Sequence, residues 1–147
     1  MTCIIGTRRF LCADRRVTED GASSSLVKLC KNEWLIAGTA GLATANLAVK
    51  AAVRAGAESA EDLLPHIDAC SYALVLSWDG RLRLVSEGKV WPTAGACAAI
   101  GSGADLALGY MNGAGALTVT CARAAQRFVA KRRVDCGGGC DVRYFDR

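Results

Sequence analysis

Residues 2–18 read TCIIGTRRFLCADRRVT, and this stretch decides the kind of fold. Cys3 to Thr7 and Phe10 to Ala13 are two short apolar runs joined by the polar pair Arg8-Arg9, a pattern that predicts a β-hairpin at the very start of the chain. Further along, the polar, Ser-rich stretch from Glu19 to Ser25 predicts a loop. Leu26 to Cys30 and Trp34 to Ala37 predict a second strand pair turning at Lys31-Asn32-Glu33. Asp79-Gly80 between Tyr72–Trp78 and Arg81–Glu87 is the strongest hairpin signal in the chain, because an Asp-Gly pair suits the tight turns that join twisted strands.

Helical stretches fall between these strands. GLATANLAVKAAVRAG carries Leu42, Ala45, Leu47, Ala48, Ala52 and Val53, spaced for a helix on a sheet, with Gly56 at its end. A second helical piece is predicted from Ser59 to Ala69, capped by Ser59 with Asp62 three residues on. Cys97 to Ile100 reads as a strand that ends in Gly101-Ser102-Gly103. It leads into a helix from Ala104 to about Met111, which Asn112-Gly113-Ala114-Gly115 breaks. Thr118 to Lys131 reads as a helix with Ala122, Ala125, Phe128 and Val129 on one side. Gly137-Gly138-Gly139 then precedes a last strand, Asp141 to Phe145. The order is strands, helices, strands, helices, strand. Strict strand–helix alternation, the mark of a parallel sheet, is missing, so the expected class is α+β with antiparallel sheets, in one domain over residues 1–147.

Composition narrows the function. Hydrophobic residues make up 52% of the 147, which excludes a disordered chain. A net charge of +4 is weak for a dedicated nucleic-acid binder. The run Arg127, Lys131, Arg132, Arg133 is more simply a charged helix end, where cations suit the helix dipole, and no aromatic platform accompanies it. No apolar run is long enough to span a bilayer, and MTCIIGTRRF lacks the layout of a secretory signal. A cytoplasmic setting with eight reduced thiols is therefore expected. No C-x-x-C pair occurs, and the closest pair, Cys136 and Cys140, has no second pair at ligand spacing, so no metal or other cofactor is expected. His66 is the only histidine, which weakens any His-based hydrolase. Cys97 to Gly109 has the strand–Gly–helix form of a dinucleotide site, but Leu106 stands where the third glycine belongs and no complete βαβ unit follows.

A different chemistry needs neither histidine nor metal. Residue 2 is a small Thr, which permits removal of Met1. Thr2 would then carry a free α-amine beside its hydroxyl. An α-amine has a pKa of about 7.7–8.0, so a neutral fraction is present at physiological pH to act as base for that hydroxyl.

The ordered motifs T-C-I-I-G, F-L-C-A-D-R-R-V-T, V-K-L, A-G-T-A-G and A-I-G-S-G span nearly the whole chain. Together they resemble the β-type subunits of the proteasome. They are also similar to the bacterial heat-shock-locus threonine peptidase and to small proteasome-like proteins of bacteria and phages. The resemblance implies the N-terminal-nucleophile hydrolase fold, a four-layer αββα sandwich of two antiparallel sheets between helix layers. It implies a threonine-type peptidase in which Thr2 is the nucleophile, Asp14 and Lys28 tune it, and the Gly41 N–H holds the oxyanion. Ser102 would hydrogen-bond the terminal amine, and Thr18 and Ala43 would pair with an extended peptide through their backbones. It further implies a peptide or unfolded-protein substrate and a homo-oligomeric ring enclosing the nucleophiles, with room for an ATPase unfoldase as partner and no nucleic acid or membrane.

One segment departs from the family. The family has an acid, two residues, a Ser and a Gly pair before the last strand, where this chain has R-V-D-C-G-G-G-C. Asp135 is the acid carried over, although its spacing is short and no serine follows. That departure keeps open an alternative, a proteasome-like structural or shell subunit without activity.

Overall fold

The computed structural model describes residues 2–19, 22–86 and 88–146. The first strand, β1 (Ile4–Thr7), turns through Arg8-Arg9 into β2 (Phe10–Asp14), as the apolar runs predict. β1 pairs antiparallel with β2 on one side and with β10 (Cys97–Ile100) on the other, and β11 (Cys140–Tyr144) closes the far edge beside β2. This gives a four-stranded sheet in the order β10-β1-β2-β11. A second sheet has five antiparallel strands in sequence order: β5 (Leu29–Lys31), β6 (Leu35–Ala40), β7 (Tyr72–Ser77), β8 (Leu82–Ser86) and β9 (Lys89–Pro92). The fold is mixed α+β with antiparallel sheets.

Strand alternation sorts the side chains to opposite faces. Cys3, Ile5, Phe10 and Cys12 leave one face of the four-stranded sheet and meet α2 (Ala104–Ala114) and α3 (Val119–Ala130) through Ala107, Met111, Ala122, Ala125 and Val129. Ile4, Leu11 and Ala13 leave the other face and pack on Leu29, Ile36, Leu74 and Leu76 of the five-stranded sheet. Leu35, Ala37, Val75 and Val85, on the far side of that second sheet, pack against α1 (Ala43–Arg54) and Leu63 of a 3-10 helix (Glu61–His66). Gly6 sits where the two sheets approach, and a Cβ there would come within 2.6 Å of Leu74 and 2.8 Å of Leu11.

Several local expectations change. Glu19–Ser25, expected as a loop, contributes to an exposed ribbon in which β3 (Arg16–Glu19) pairs with β4 (Ala22–Ser25); residues 20 and 21 lie outside the described residues. Serine-rich strands carry no apolar alternation, so only the backbone ladder reveals them. The stretch from Leu26 to Lys28 is irregular, and the strand begins at Leu29. β9 was not foreseen; it is an edge strand that ends at Pro92, where a missing N–H is harmless. The helix expected over 59–69 is a 3-10 helix with Pro65 inside it, and its Ser59 cap is replaced by Asp62 accepting from the Glu58 and Ser59 N–H groups. α2 runs on through Asn112 and Gly113 and ends in a left-handed cap at Gly115, with φ of 67°. On α1 the buried stripe is Ala45, Asn46, Val49 and Val53, while Leu42 and Leu47 face solvent. The last residue of the strand expected over Arg81–Glu87 lies outside the described residues.

Candidate active site

The segment before β1 is fixed by its backbone. The Thr2 carbonyl accepts from the Gly103 N–H at 3.3 Å and from the Ser102 hydroxyl at 3.5 Å. Gly101, with φ of 94°, lies so close that a Cβ would sit 2.0 Å from the Thr2 oxygen, so a glycine is required there. The turn after β10 therefore wraps the Thr2 carbonyl. Thr2 itself is buried, at 6% exposure.

Asp14 closes the next layer. It ends β2, opposite the start of β1, and its Oδ1 accepts from the Cys3 N–H at 2.8 Å. The same oxygen accepts from Lys28 Nζ at 2.8 Å, and Oδ2 accepts from the Gly137 N–H at 3.0 Å. Lys28 Nζ also donates to the Arg16 carbonyl at 2.6 Å. The two side chains are 1% and 3% exposed. A charge pair so deeply buried survives only when its remaining valences are satisfied, and here the backbone supplies them. The irregular backbone at Lys28 is held in turn by Asn46 of α1, whose amide donates to the Lys28 carbonyl at 3.4 Å and to Thr39 Oγ1 at 3.0 Å.

On the other side of Thr2, the Ser102 hydroxyl lies 3.6 Å from Sγ of Cys136, the neighbour of Asp135 in the chain. Burial pushes the Asp135 carboxyl up, but the hydrogen bonds from Arg133 and Ser102 outweigh it and hold the group below the usual carboxylate range. Arg133 Nε stands 3.3 Å from Asp135 Oδ1. Burial, with Cys136 and Asp14 nearby, drives the Cys3 thiol far above the ordinary thiol range, so Cys3 is inert.

Thr2, Asp14, Lys28, Ser102 and Asp135 are thus joined through direct bonds or one intervening residue. The Ser102 hydroxyl bonds the Thr2 carbonyl, which the Gly101–Gly103 turn embraces. Met1 lies outside the described residues. Gly41, with φ of 115°, follows β6 and packs on the Cys70 carbonyl and Ser71, and Ala43 opens α1 just beyond it. Asn46 links this segment to the cluster: its N–H donates to the Leu42 carbonyl and its side-chain amide to the Lys28 carbonyl. Thr18 lies in the exposed β3, whose edge away from β4 has no strand partner among the described residues.

Several contributors were not foreseen: the Gly137 N–H, Asn46, Cys136 and above all Gln126. The Gln126 amide, buried on α3, donates to the Cys3 carbonyl at 3.0 Å and the Cys12 carbonyl at 3.2 Å, clamping both β1 and β2. Its sequence signal was a polar residue inside the stripe Ala122, Ala125, Val129. A concavity of about 370 Å³ borders Asp14 from this side, lined by Gln126, Arg123, Arg127 and the glycines 137–139. Among the described residues no group of three His, Cys, Asp or Glu is arranged to hold a metal ion.

The whole arrangement has close structural counterparts. The structure of eukaryotic HslV from Trypanosoma brucei matches with a TM-score of 0.75 and 22% identity, covering 99% of this chain and 100% of that one. At that identity the likeness is one of fold. Thiobacillus denitrificans BPH in complex with epoxomicin matches with a TM-score of 0.73 and 16% identity, over 99% of each chain. The Anbu Gly-1 mutant from Hyphomicrobium sp. strain MC1 does so with a TM-score of 0.78 and 12% identity, over 100% of this chain and 82% of that one. No family model matches the sequence, and no curated protein matches it. No helix among the described residues is long and apolar enough to cross a membrane.

Proposed function

We propose that the chain is a single-domain member of the proteasome β-subunit-like family and a threonine-type peptidase. The observation that carries this reading is the position of Thr2, directly ahead of β1, with its carbonyl gripped by Ser102 and Gly103 and with the buried Asp14–Lys28 pair one residue away. The three apolar clusters, one between the sheets and one outside each, support a four-layer αββα sandwich.

The mechanism requires that Met1 be removed, since an amide nitrogen at Thr2 is no base. The freed amine takes the proton of the Thr2 hydroxyl, and Oγ attacks the scissile carbonyl. Lys28, paired with Asp14, favours the deprotonated forms of its neighbours electrostatically. The Gly41 N–H stabilises the oxyanion. The amine returns its proton to the leaving nitrogen, and water then hydrolyses the acyl-enzyme. Ser102 and Asp135 form a polar relay on the side of the Thr2 backbone. The free edge of β3 at Thr18 suits strand addition by an extended peptide or unfolded protein, and the backbone of Ala43 is proposed as its second partner. The likeness to HslV and BPH supports a homo-oligomeric ring enclosing the nucleophiles in the cytoplasm, and an ATPase unfoldase fits such a ring.

A subunit without activity is the second reading, favoured by the Arg133–Asp135 pair, which occupies the acid. Three measurements separate the two: intact mass for Met1, turnover of fluorogenic peptides, and mapping of an epoxyketone adduct. The peptidase reading expects loss of Met1, an adduct on Thr2, and turnover abolished by Thr2→Ala without a change in melting temperature. Retained Met1 with no turnover would leave the shell subunit.

A further inference from the structure

A concavity of about 700 Å³ opens away from Thr2, between the β5–β6 turn, the C-terminal half of α1 and β11. Four cations line it, Lys31, Lys50, Arg54 and Arg143, against one carboxylate, Glu33. None of the four forms an ion pair among the described residues. Lys31 Nζ donates to the Tyr144 carbonyl at 2.6 Å, Arg143 to the Val142 carbonyl at 3.0 Å, and Lys50 to the Val27 carbonyl. These partners are neutral, so the lining keeps an excess of three positive charges. Arg54 makes no hydrogen bond or ion pair among the described residues. Burial lowers the Lys50 pKa, Cys30 and Asp141 oppose that shift, and the Arg54 charge adds to it, so the two cations feel one another.

We propose that this concavity binds a compact polyanion of linked phosphates, a diphosphate or triphosphate group. A single carboxylate would neutralise only part of the excess, whereas linked phosphates carry several charges in a volume the cavity accepts. The two guanidinium forks match pairs of phosphate oxygens, and the two ammonium groups act as point charges. The site also touches the active-site segment. Lys50 holds the carbonyl of Val27, whose neighbour is Lys28, so a ligand competing for Lys50 acts on the backbone that presents that lysine.

The test is calorimetric titration of the full-length chain with inorganic triphosphate, orthophosphate and acetate. Triphosphate should bind saturably, more tightly than orthophosphate and far more tightly than acetate, and more weakly as KCl is raised. Lys50→Gln and Arg54→Gln should each weaken it by about tenfold, the loss of one charge-assisted contact. Arg81→Gln, on the opposite hairpin and paired with Asp79, should leave it unchanged. Arg54 is exposed and unpaired, so Arg54→Gln is the variant to use if Lys50→Gln melts early. Absence of saturable binding, equal affinity for acetate, or an equal loss in Arg81→Gln would overturn the proposal. The readout is binding, so its failure and the failure of the peptidase reading are separate results.

Discussion

Replacing Asp14 by Asn removes one charge and keeps the shape. In the parent, Oδ1 serves the Cys3 N–H and Lys28 Nζ, while Oδ2 serves the Gly137 N–H. An amide has one oxygen. If it points toward Cys3 and Lys28, its NH2 group faces the Gly137 N–H; if it flips, both Cys3 and Lys28 face a donor. Either way a buried N–H loses its partner, and Lys28, 3% exposed, loses its counter-charge. Stranding one member of a buried pair costs about 3–5 kcal/mol, a large part of the roughly 5–15 kcal/mol that holds a domain together. At about 2–4 °C per kcal/mol for a chain of this size, the melting point should fall by roughly 6–20 °C. Lys28→Met should cost a similar amount by stranding Asp14, and for that reason it is a poor probe of mechanism alone. The double variant Asp14→Asn/Lys28→Met strands neither charge and should fall short of the summed single effects by about 2 kcal/mol or more. Urea denaturation of the four proteins at one fixed protein concentration measures the cycle, with peptide turnover followed in parallel and lost in all three variants. An additive cycle, or an Asp14→Asn protein within about 1 kcal/mol of the parent, would refute the argument that this pair is buried and mutually dependent.

Gly101→Ala should displace Thr2, because its Cβ would lie 2.0 Å from a backbone oxygen that cannot rotate away, at a φ of 94°. Strain of about 1–3 kcal/mol should appear in the urea midpoint, with near-complete loss of turnover, and a fully active variant would contradict the close approach. Asp135 is held below its ordinary value of 3.8, so its stabilising contribution is present above that pH and fades as pH falls through the lower folded value. The stability difference between parent and Asp135→Asn should therefore be largest near neutrality and vanish in strong acid, whereas a difference that persists in strong acid would exclude the charge as its source. Cys70 is exposed, whereas burial raises Cys30 to about 11 and drives Cys3 and Cys12 further up. Maleimide mapping by mass should find Cys70 modified first, and native-state labelling of Cys3 or Cys12 at an equal rate would contradict the packing.

The parts of the fold legible in the sequence are those where one residue type has one physical use. The two hairpins turning at Arg8-Arg9 and Asp79-Gly80 form where the apolar runs predict them, because alternation and turn chemistry agree there. Where local chemistry and tertiary context disagree, context wins. Asn112 and Gly113 read as a break, yet α2 passes through them because Met111 is wholly buried beneath and Gly115 supplies the left-handed cap one turn later. Pro65 removes an N–H that an α-helix would need, and the 3-10 form, bonding Leu64 to Ile67, does without it.

Within the candidate site, Thr2, Asp14 and Lys28 were legible only as members of an ordered set, since each alone has an ordinary explanation. Their supports were not, and Gln126 illustrates why. Nothing local marks this residue on α3 as the partner of Cys3, which is 123 positions away. The Cys3 carbonyl belongs to the segment ahead of β1 and the Cys12 carbonyl to β2, and one amide from the helix layer spans both. The segment ahead of β1 is thereby held at successive backbone positions, by Ser102 and Gly103 at Thr2 and by Asp14 and Gln126 at Cys3. Such fixing of the backbone is what the proposed role of the Thr2 hydroxyl needs, since a positioned group gains most in reactivity. A sequence lists donors and acceptors one by one, and only the folded chain reveals which carbonyl each donor meets.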